Sequence, residues 1–212
     1  MDIKLIAQNA VRIVNKNGKV IYFDPFELKG EYLNDADMIF ITHSHYDHFS
    51  PKDVEQIKND NTKIIVTKDL TDKVINIGFK GDSILTVLPN NEYEFSGIKF
   101  RTIPAYNINK QFHKKEYEWV SYIIEIDDDT VYIAGDTDIT DEAKNVKCDI
   151  ACVPVGGIYT MTAEEAAELI EYIHPNKLAI PTHYKTVVGS IDDAVIFKEL
   201  LNGKVKVEIL MK

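Results

Sequence analysis

The chain has 212 residues, of which 45% are hydrophobic and 27% charged, with ten glycines and seven prolines. That length holds one sizeable core, and the composition excludes a disordered chain, a collagen-like repeat and a coiled coil. A formal net charge of −10 at pH 7 repels phosphate backbones and argues against generic nucleic-acid binding.

The N-terminal segment reads as β-structure. Residues 3–8, 10–14 and 20–23 are β-rich runs separated by turn residues such as Asn17-Gly18. No basic stretch with an apolar signal core precedes them, so a cytoplasmic protein is expected. Residues 37–42 form a near-continuous apolar run, the pattern of a strand covered on both faces. The run is strand-sized, far short of a membrane span. It ends abruptly in a histidine cluster.

Ser50-Pro51-Lys52-Asp53 then predicts a helix start: Ser50 caps, Pro51 suits the first helical position and Asp53 the first turn. Further strands are predicted over 63–67, 83–88 and 98–103, then over 120–126 and 130–134, joined by the acidic turn Asp127-Asp128-Asp129. Beyond them strands and helices alternate. Residues 149–155 read as a strand. Thr162 with Glu165 forms a capping box, and Ala163, Ala166, Ala167, Ile170 and Ile173 line one face of the helix it opens. Residues 177–180 give a strand ending at Pro181-Thr182-His183, Ser190 starts a last helix, and residues 205–210 read as a closing strand. No linker or composition step divides the chain, so residues 1–212 are expected to form one layered α/β domain with outer helices. One sheet and two packed sheets both fit this pattern.

Cys148 and Cys152 sit four apart in an extended segment, too far from each other to bridge without distortion. They read as small buried residues of a reduced compartment.

The chemistry concentrates in Thr42-His43-Ser44-His45-Tyr46-Asp47-His48. Three imidazoles and a carboxylate follow one strand, and borderline divalent metals prefer such donors. In an extended segment His43 and His45 face the same side and reach one ion, while a following loop swings Asp47 and His48 toward a second. Asp136, in Ala134-Gly135-Asp136-Thr137-Asp138, and His183 also follow predicted strands, where open α/β sheets place ligand sites. His174, before Pro175 at a helix end, reads as a dipole partner or surface residue. Asp24 fits two roles: a carboxylate orienting a ligand histidine, or a turn residue before Pro25. Lys110, Lys114 and Lys115 read as a solvated loop, or as a holder for an anionic substrate. Gly156-Gly157 predicts a close passage of backbone.

In the same order, His43-Ser44-His45-Tyr46-Asp47-His48, Ala134-Gly135-Asp136-Thr137-Asp138 and Pro181-Thr182-His183 resemble the metallo-β-lactamase superfamily. Phe23-Asp24-Pro25-Phe26, Trp119-Val120-Ser121-Tyr122 and Pro181-Thr182-His183-Tyr184 are most similar to its ascorbate-6-phosphate lactonase-like branch. The resemblance implies a four-layer αββα sandwich with metals at one rim. It implies that His43 and His45 bind a first ion, that Asp47, His48 and His183 bind a second, and that Asp136 bridges them. The superfamily's third histidine for the first ion has no direct counterpart after Pro104-Ala105. His113 is the candidate; Asn107 or a water is the alternative.

Two divalent ions, zinc or manganese with iron also compatible, would lower the pKa of a bound water to roughly 7. The resulting bridging hydroxide would attack a small ester, lactone or phosphodiester, with Asp47 and Asp136 as ligands and proton carriers. A di-iron redox protein on the same fold and a non-catalytic metal-binding module are the rival readings. The partner expected is a small molecule, with no nucleic acid and no membrane; a homo-oligomer is compatible.

Overall fold

In the computed structural model, which describes residues 1–211, the strands form two six-stranded mixed sheets. The first has order β1 (Asp2–Leu5), β2 (Val11–Val14), β3 (Val20–Phe23), β4 (Met38–Phe40), β5 (Lys63–Thr67), β6 (Ile84–Val87). The second comprises β7 (Glu92–Phe95), β8 (Ile98–Pro104), β9 (Val120–Ile126), β10 (Asp129–Ile133), β11 (Ile150–Pro154) and β12 (Leu178–Thr182), in simple sequence order across the sheet.

Alternation along the strands explains the sandwich. In β3 and β4 the side chains of Ile21, Phe23, Met38 and Phe40 point to the core between the sheets. Tyr22, Ile39 and Ile41 point the other way, under α1 (Pro51–Ile57) and α2 (Thr71–Asn76). Both faces are dry, which is why residues 37–42 read as continuously apolar. On the second sheet α3 (Asp141–Lys144), α4 (Ala163–Ile173) and α5 (Ile191–Leu200) form the outer layer, and the apolar stripe of α4 is buried. Fully burying one such aliphatic or aromatic side chain contributes about 1.5–3 kcal/mol. The result is the αββα sandwich expected.

The predicted helix starts agree with the structure. Ser50 caps α1 by accepting from Asp53 N, and Thr162 and Ser190 form capping boxes with Glu165 and Asp193. Three elements lie outside the sequence reading: β7, α2 and α3. β7 is an edge strand carrying Glu92 and Glu94, joined to β8 through Ser96 and Gly97, both at positive φ. Its charged face hides the strand signal. Residues 205–210 do not form the predicted strand. Only Val207 bridges Ala179, while Val205, Ile209 and Leu210 pack over the core instead of extending the ladder. Cys148 and Cys152 are buried and unpaired.

Strand direction decides where the chemistry sits. β1 runs antiparallel to β2 and β2 to β3, so β1, β3 and the parallel strands after it end at one rim. By the same pairing β8, β10, β11 and β12 share a direction in the second sheet. The two rims are tied together: His183 N donates to Gln8 O (2.7 Å), Val120 N to Thr42 O (3.2 Å) and the Tyr122 hydroxyl to Ile41 O (2.8 Å).

Candidate metal centre

The tied rim gathers residues from six strand ends. Gln8 follows β1, Asp24 follows β3, the histidine cluster follows β4, the His113 loop follows β8, Asp136 follows β10 and His183 follows β12. All seven sequence-predicted site residues meet there. Among the described residues, His43, His45, His113 and Asp136 offer donor atoms within 4.8 Å of one another, and so do Asp47, His48 and His183.

Asp136 joins the two sets. Its Oδ2 lies 3.1 Å from His113 Nε2 and 3.2 Å from His183 Nε2, and its Oδ1 lies 3.2 Å from His48 Nε2. His45 presents Nδ1, 3.0 Å from His43 Nε2 and 3.1 Å from His113 Nε2. Asp47 Oδ2 lies 3.6 Å from His183 Nε2 and 3.7 Å from His48 Nε2. Apart from the half-buried His45, these side chains are buried.

A second layer of contacts orients them. Asp24 Oδ2 accepts from Thr42 Oγ1 (2.7 Å) and Asn9 Nδ2 (2.7 Å) and lies 2.8 Å from His48 Nδ1. A proton on His48 Nδ1 satisfies that carboxylate and leaves Nε2 facing Asp136. Asp24 also has φ 44, so it fills both the orienting and the turn role. Trp119 packs on His43 and His45, with centroids 4.7 and 4.8 Å apart, and its Nε1 donates to Asp69 Oδ2 at 3.1 Å. Asn107 stands behind His113 rather than among the clustered donors. Its N donates to His113 O (2.8 Å), and its Nδ2 lies 3.1 Å from His113 Nδ1.

Gln8, Asn9 and Asp69 are contributors the sequence reading missed, and Trp119 entered it only as part of a resemblance, with no role at the site. Gln8 is fully buried, with Nε2 donating to Asp47 Oδ2 (3.0 Å) and lying 2.8 Å from His183 Nε2. The signal available was a polar pair, Gln8-Asn9, set between Ala7 and Ala10 just beyond a strand. Gln8, Asp24, His113 and His183 all adopt positive φ. Non-glycine residues in that region are uncommon and collect where the surroundings over-determine the backbone.

Electrostatics divide the imidazoles. Burial, reinforced by His48, holds His43 well below the ordinary histidine range, and burial with His113 lowers His45. Burial also opposes the charged form of His48, but Asp136 and Asp24 outweigh it and raise His48 well above its usual range. His183 is pushed up to about 9, Asp136 again outweighing burial. Burial alone would raise Asp136, yet His183 and His48 hold it well below the usual carboxylate range. The pocket therefore holds an ionised carboxylate between two imidazoles that favour the charged form, His48 and His183, and two that favour the neutral form, His43 and His45.

These residues fit divalent metal. His48 Nε2 and Asp136 Oδ1, though 3.2 Å apart, are buried without a hydrogen bond to each other or to any other group, which buried polar atoms seldom tolerate. The nitrogen and carboxylate donors gathered around these two atoms would satisfy both if divalent metal were bound.

Other sequence-level readings resolve readily. His174 is the exposed, left-handed cap of α4. The loop lysines are partly engaged: Lys110 pairs with Asp138, and Lys115 with Glu142. At Gly156 a Cβ would meet His183 O at 2.2 Å, so the close passage is against the backbone that carries His183.

The family profile of the beta-lactamase superfamily domain matches residues 2–183. The chain is 31% identical to a Thermococcus onnurineus protein described as a UPF0173 metal-dependent hydrolase, over 99% of this chain and 96% of the relative. It is similar to a solved structure from Parabacteroides distasonis, with TM-score 0.84, 29% identity and coverage of 99% and 93%. Igni18, a metallo hydrolase from Ignicoccus hospitalis, shares the fold at 22% identity, TM-score 0.78, covering 98% and 93%. The chain thus belongs to the metallo-β-lactamase superfamily and, within it, to the metal-dependent hydrolases of the UPF0173 group.

Proposed function

We propose that the rim is a dinuclear hydrolytic centre for a small ester, lactone or phosphodiester. His43, His45 and His113 would hold one divalent ion, Asp47, His48 and His183 the other, with Asp136 between them. The observation that carries this reading is Asp136, whose carboxylate lies within 3.2 Å of imidazole nitrogens from both sets. Zinc or manganese suits these donors best, and iron is compatible.

Bound divalent ions supply a water acidic enough to ionise near neutral pH and a positive field for a developing oxyanion. The chain's own residues hold and orient that chemistry. Asp24 fixes the direction of His48, Trp119 closes the side of His43 and His45 to solvent, and Gln8 steadies Asp47. Asp47 also lines the cleft above the centre, where its carboxylate can take up a proton and pass it to solvent. Two of the motifs that point to the ascorbate-6-phosphate lactonase-like branch serve this framework: Asp24 of the first and Trp119 and Tyr122 of the second are built into the rim. We read residues 1–212 as one catalytic unit of the cytoplasm.

The test is turnover with and without metal. Protein loaded with zinc or manganese is expected to hydrolyse at least one of phenyl acetate, γ-butyrolactone and bis(4-nitrophenyl) phosphate. Chelation should abolish the activity and metal should restore it. Turnover that survives complete removal of metal would contradict the reading.

The third histidine has its own test. His113→Ala is expected to weaken one ion's binding by on the order of 10–100-fold, as loss of a ligand's support commonly does. The melting temperature of the metal-free protein should change little, because His113 lies on a loop. Asn107→Ala should do less, since the Asn107 side chain meets only the far nitrogen of the ring and Tyr159 O, and its backbone bond to His113 O survives the substitution. Calorimetric metal titration of both variants decides; a silent His113→Ala beside a damaging Asn107→Ala would reverse the assignment.

A further inference from the structure

The cleft over the centre measures about 290 Å³. Besides the proposed ligands, its walls are Tyr46, Phe112, Tyr159 and Val187, and among the described residues no lysine or arginine lines it. These walls are solvent-facing apolar surface: Tyr46 is 66% exposed, Phe112 47% and Val187 36%. Two of them are braced by neighbouring rings. Phe112 meets Tyr159 edge-on at 5.0 Å, and Tyr46 meets Phe26 at 5.9 Å. Aromatic side chains held open around a few converging polar groups are the signature of a small-molecule pocket. The positive charge of the adjoining loop is directed elsewhere, Lys110 to Asp138, Lys114 to Glu116 and Lys115 to Glu142.

We infer that the site selects a neutral ester or lactone whose non-reacting substituent is apolar and about phenyl-sized, seated among Tyr46, Phe112, Tyr159 and Val187. The inference rests on the hydrolytic reading above and narrows it. A phosphate or carboxylate on that substituent, seated away from the reacting carbonyl, would lose water against Tyr46, Phe112, Tyr159 and Val187 without gaining a counter-charge from any of them. The volume sits at the lower end of ligand pockets, which limits the substituent's size. For a lactone, the acyl carbon–oxygen bond breaks as a bond forms to the oxygen of water. One proton of that water goes to the leaving alkoxide, and the other is released as the carboxylate forms.

The experiment compares three lactones that differ only at the γ-carbon: γ-phenyl-γ-butyrolactone, γ-butyrolactone and γ-carboxy-γ-butyrolactone, with zinc- or manganese-loaded protein. The phenyl compound is expected to exceed the unsubstituted one in kcat/KM by at least about tenfold, the yield of burying roughly two methylene equivalents. The carboxylated compound should fall below the unsubstituted one. In Phe112→Ala the phenyl preference should shrink toward unity, whereas Phe112→Leu should keep most of it. A carboxylated substrate that matches or beats the phenyl one, or a phenyl preference that Phe112→Ala leaves intact, overturns the inference while the hydrolytic reading stands. No metal-dependent turnover of any lactone, of phenyl acetate or of bis(4-nitrophenyl) phosphate overturns both.

Discussion

Asp136→Ala is expected to lower kcat/KM by more than about 100-fold and to reduce bound metal below that of any other single-ligand variant. Loss of a supporting partner alone costs on the order of 10–100-fold, and Asp136 contacts both donor sets directly. Its Oδ2 reaches His113 and His183, and its Oδ1 reaches His48. Without the carboxylate, the imidazoles lose the charge that outweighs burial at His48 and His183. Asp136→Asn provides the control for folding, because it keeps the shape and removes the charge. Both variants should melt cooperatively in the metal-free state. Wild-type turnover in either would remove Asp136 from between the ions.

Gly156→Ala is expected to cost about 3 kcal/mol of stability, at the upper end for an overpacked site. In a chain of this length that lowers Tm by roughly 6–12 °C. The added Cβ would sit 2.2 Å from His183 O and 3.0 Å from a methyl of Val188. A backbone oxygen cannot swing aside as a flexible side chain can. The carbonyl belongs to a residue at φ 58 whose N–H is already engaged by Gln8 O, so relief must move His183. The variant should therefore lose metal affinity as well as stability, whereas an alanine at the open turn Gly30 should lose neither. Unchanged melting and unchanged metal binding in Gly156→Ala would contradict this packing.

The parts of the site that were readable share one local pattern: a polar donor directly after an apolar strand. Asp136, His183 and the cluster at His43 all follow that rule, and strand direction then brings them to one rim. His113 is harder because its loop wanders for nine residues after β8 and turns through a left-handed backbone; only its residue type marks it. Gln8 is harder still. An amide carries no ligand signature, and its importance comes from a contact with Asp47 and His183, 39 and 175 positions away. The number of sheets was open because doubly buried strands such as β4 read alike in one central sheet or in two stacked ones. The loop lysines near His113 looked suited to an anionic substrate until Asp138 and Glu142 were seen to face two of them.

On the dinuclear proposal, two adjacent donor sets sharing Asp136 hold two divalent ions. Elemental analysis of purified protein after incubation with zinc or manganese and removal of unbound metal tests it most directly. Close to two ions per chain are expected, falling toward none in Asp136→Ala. A wild-type protein that retains no more than a trace of metal under those conditions would contradict it.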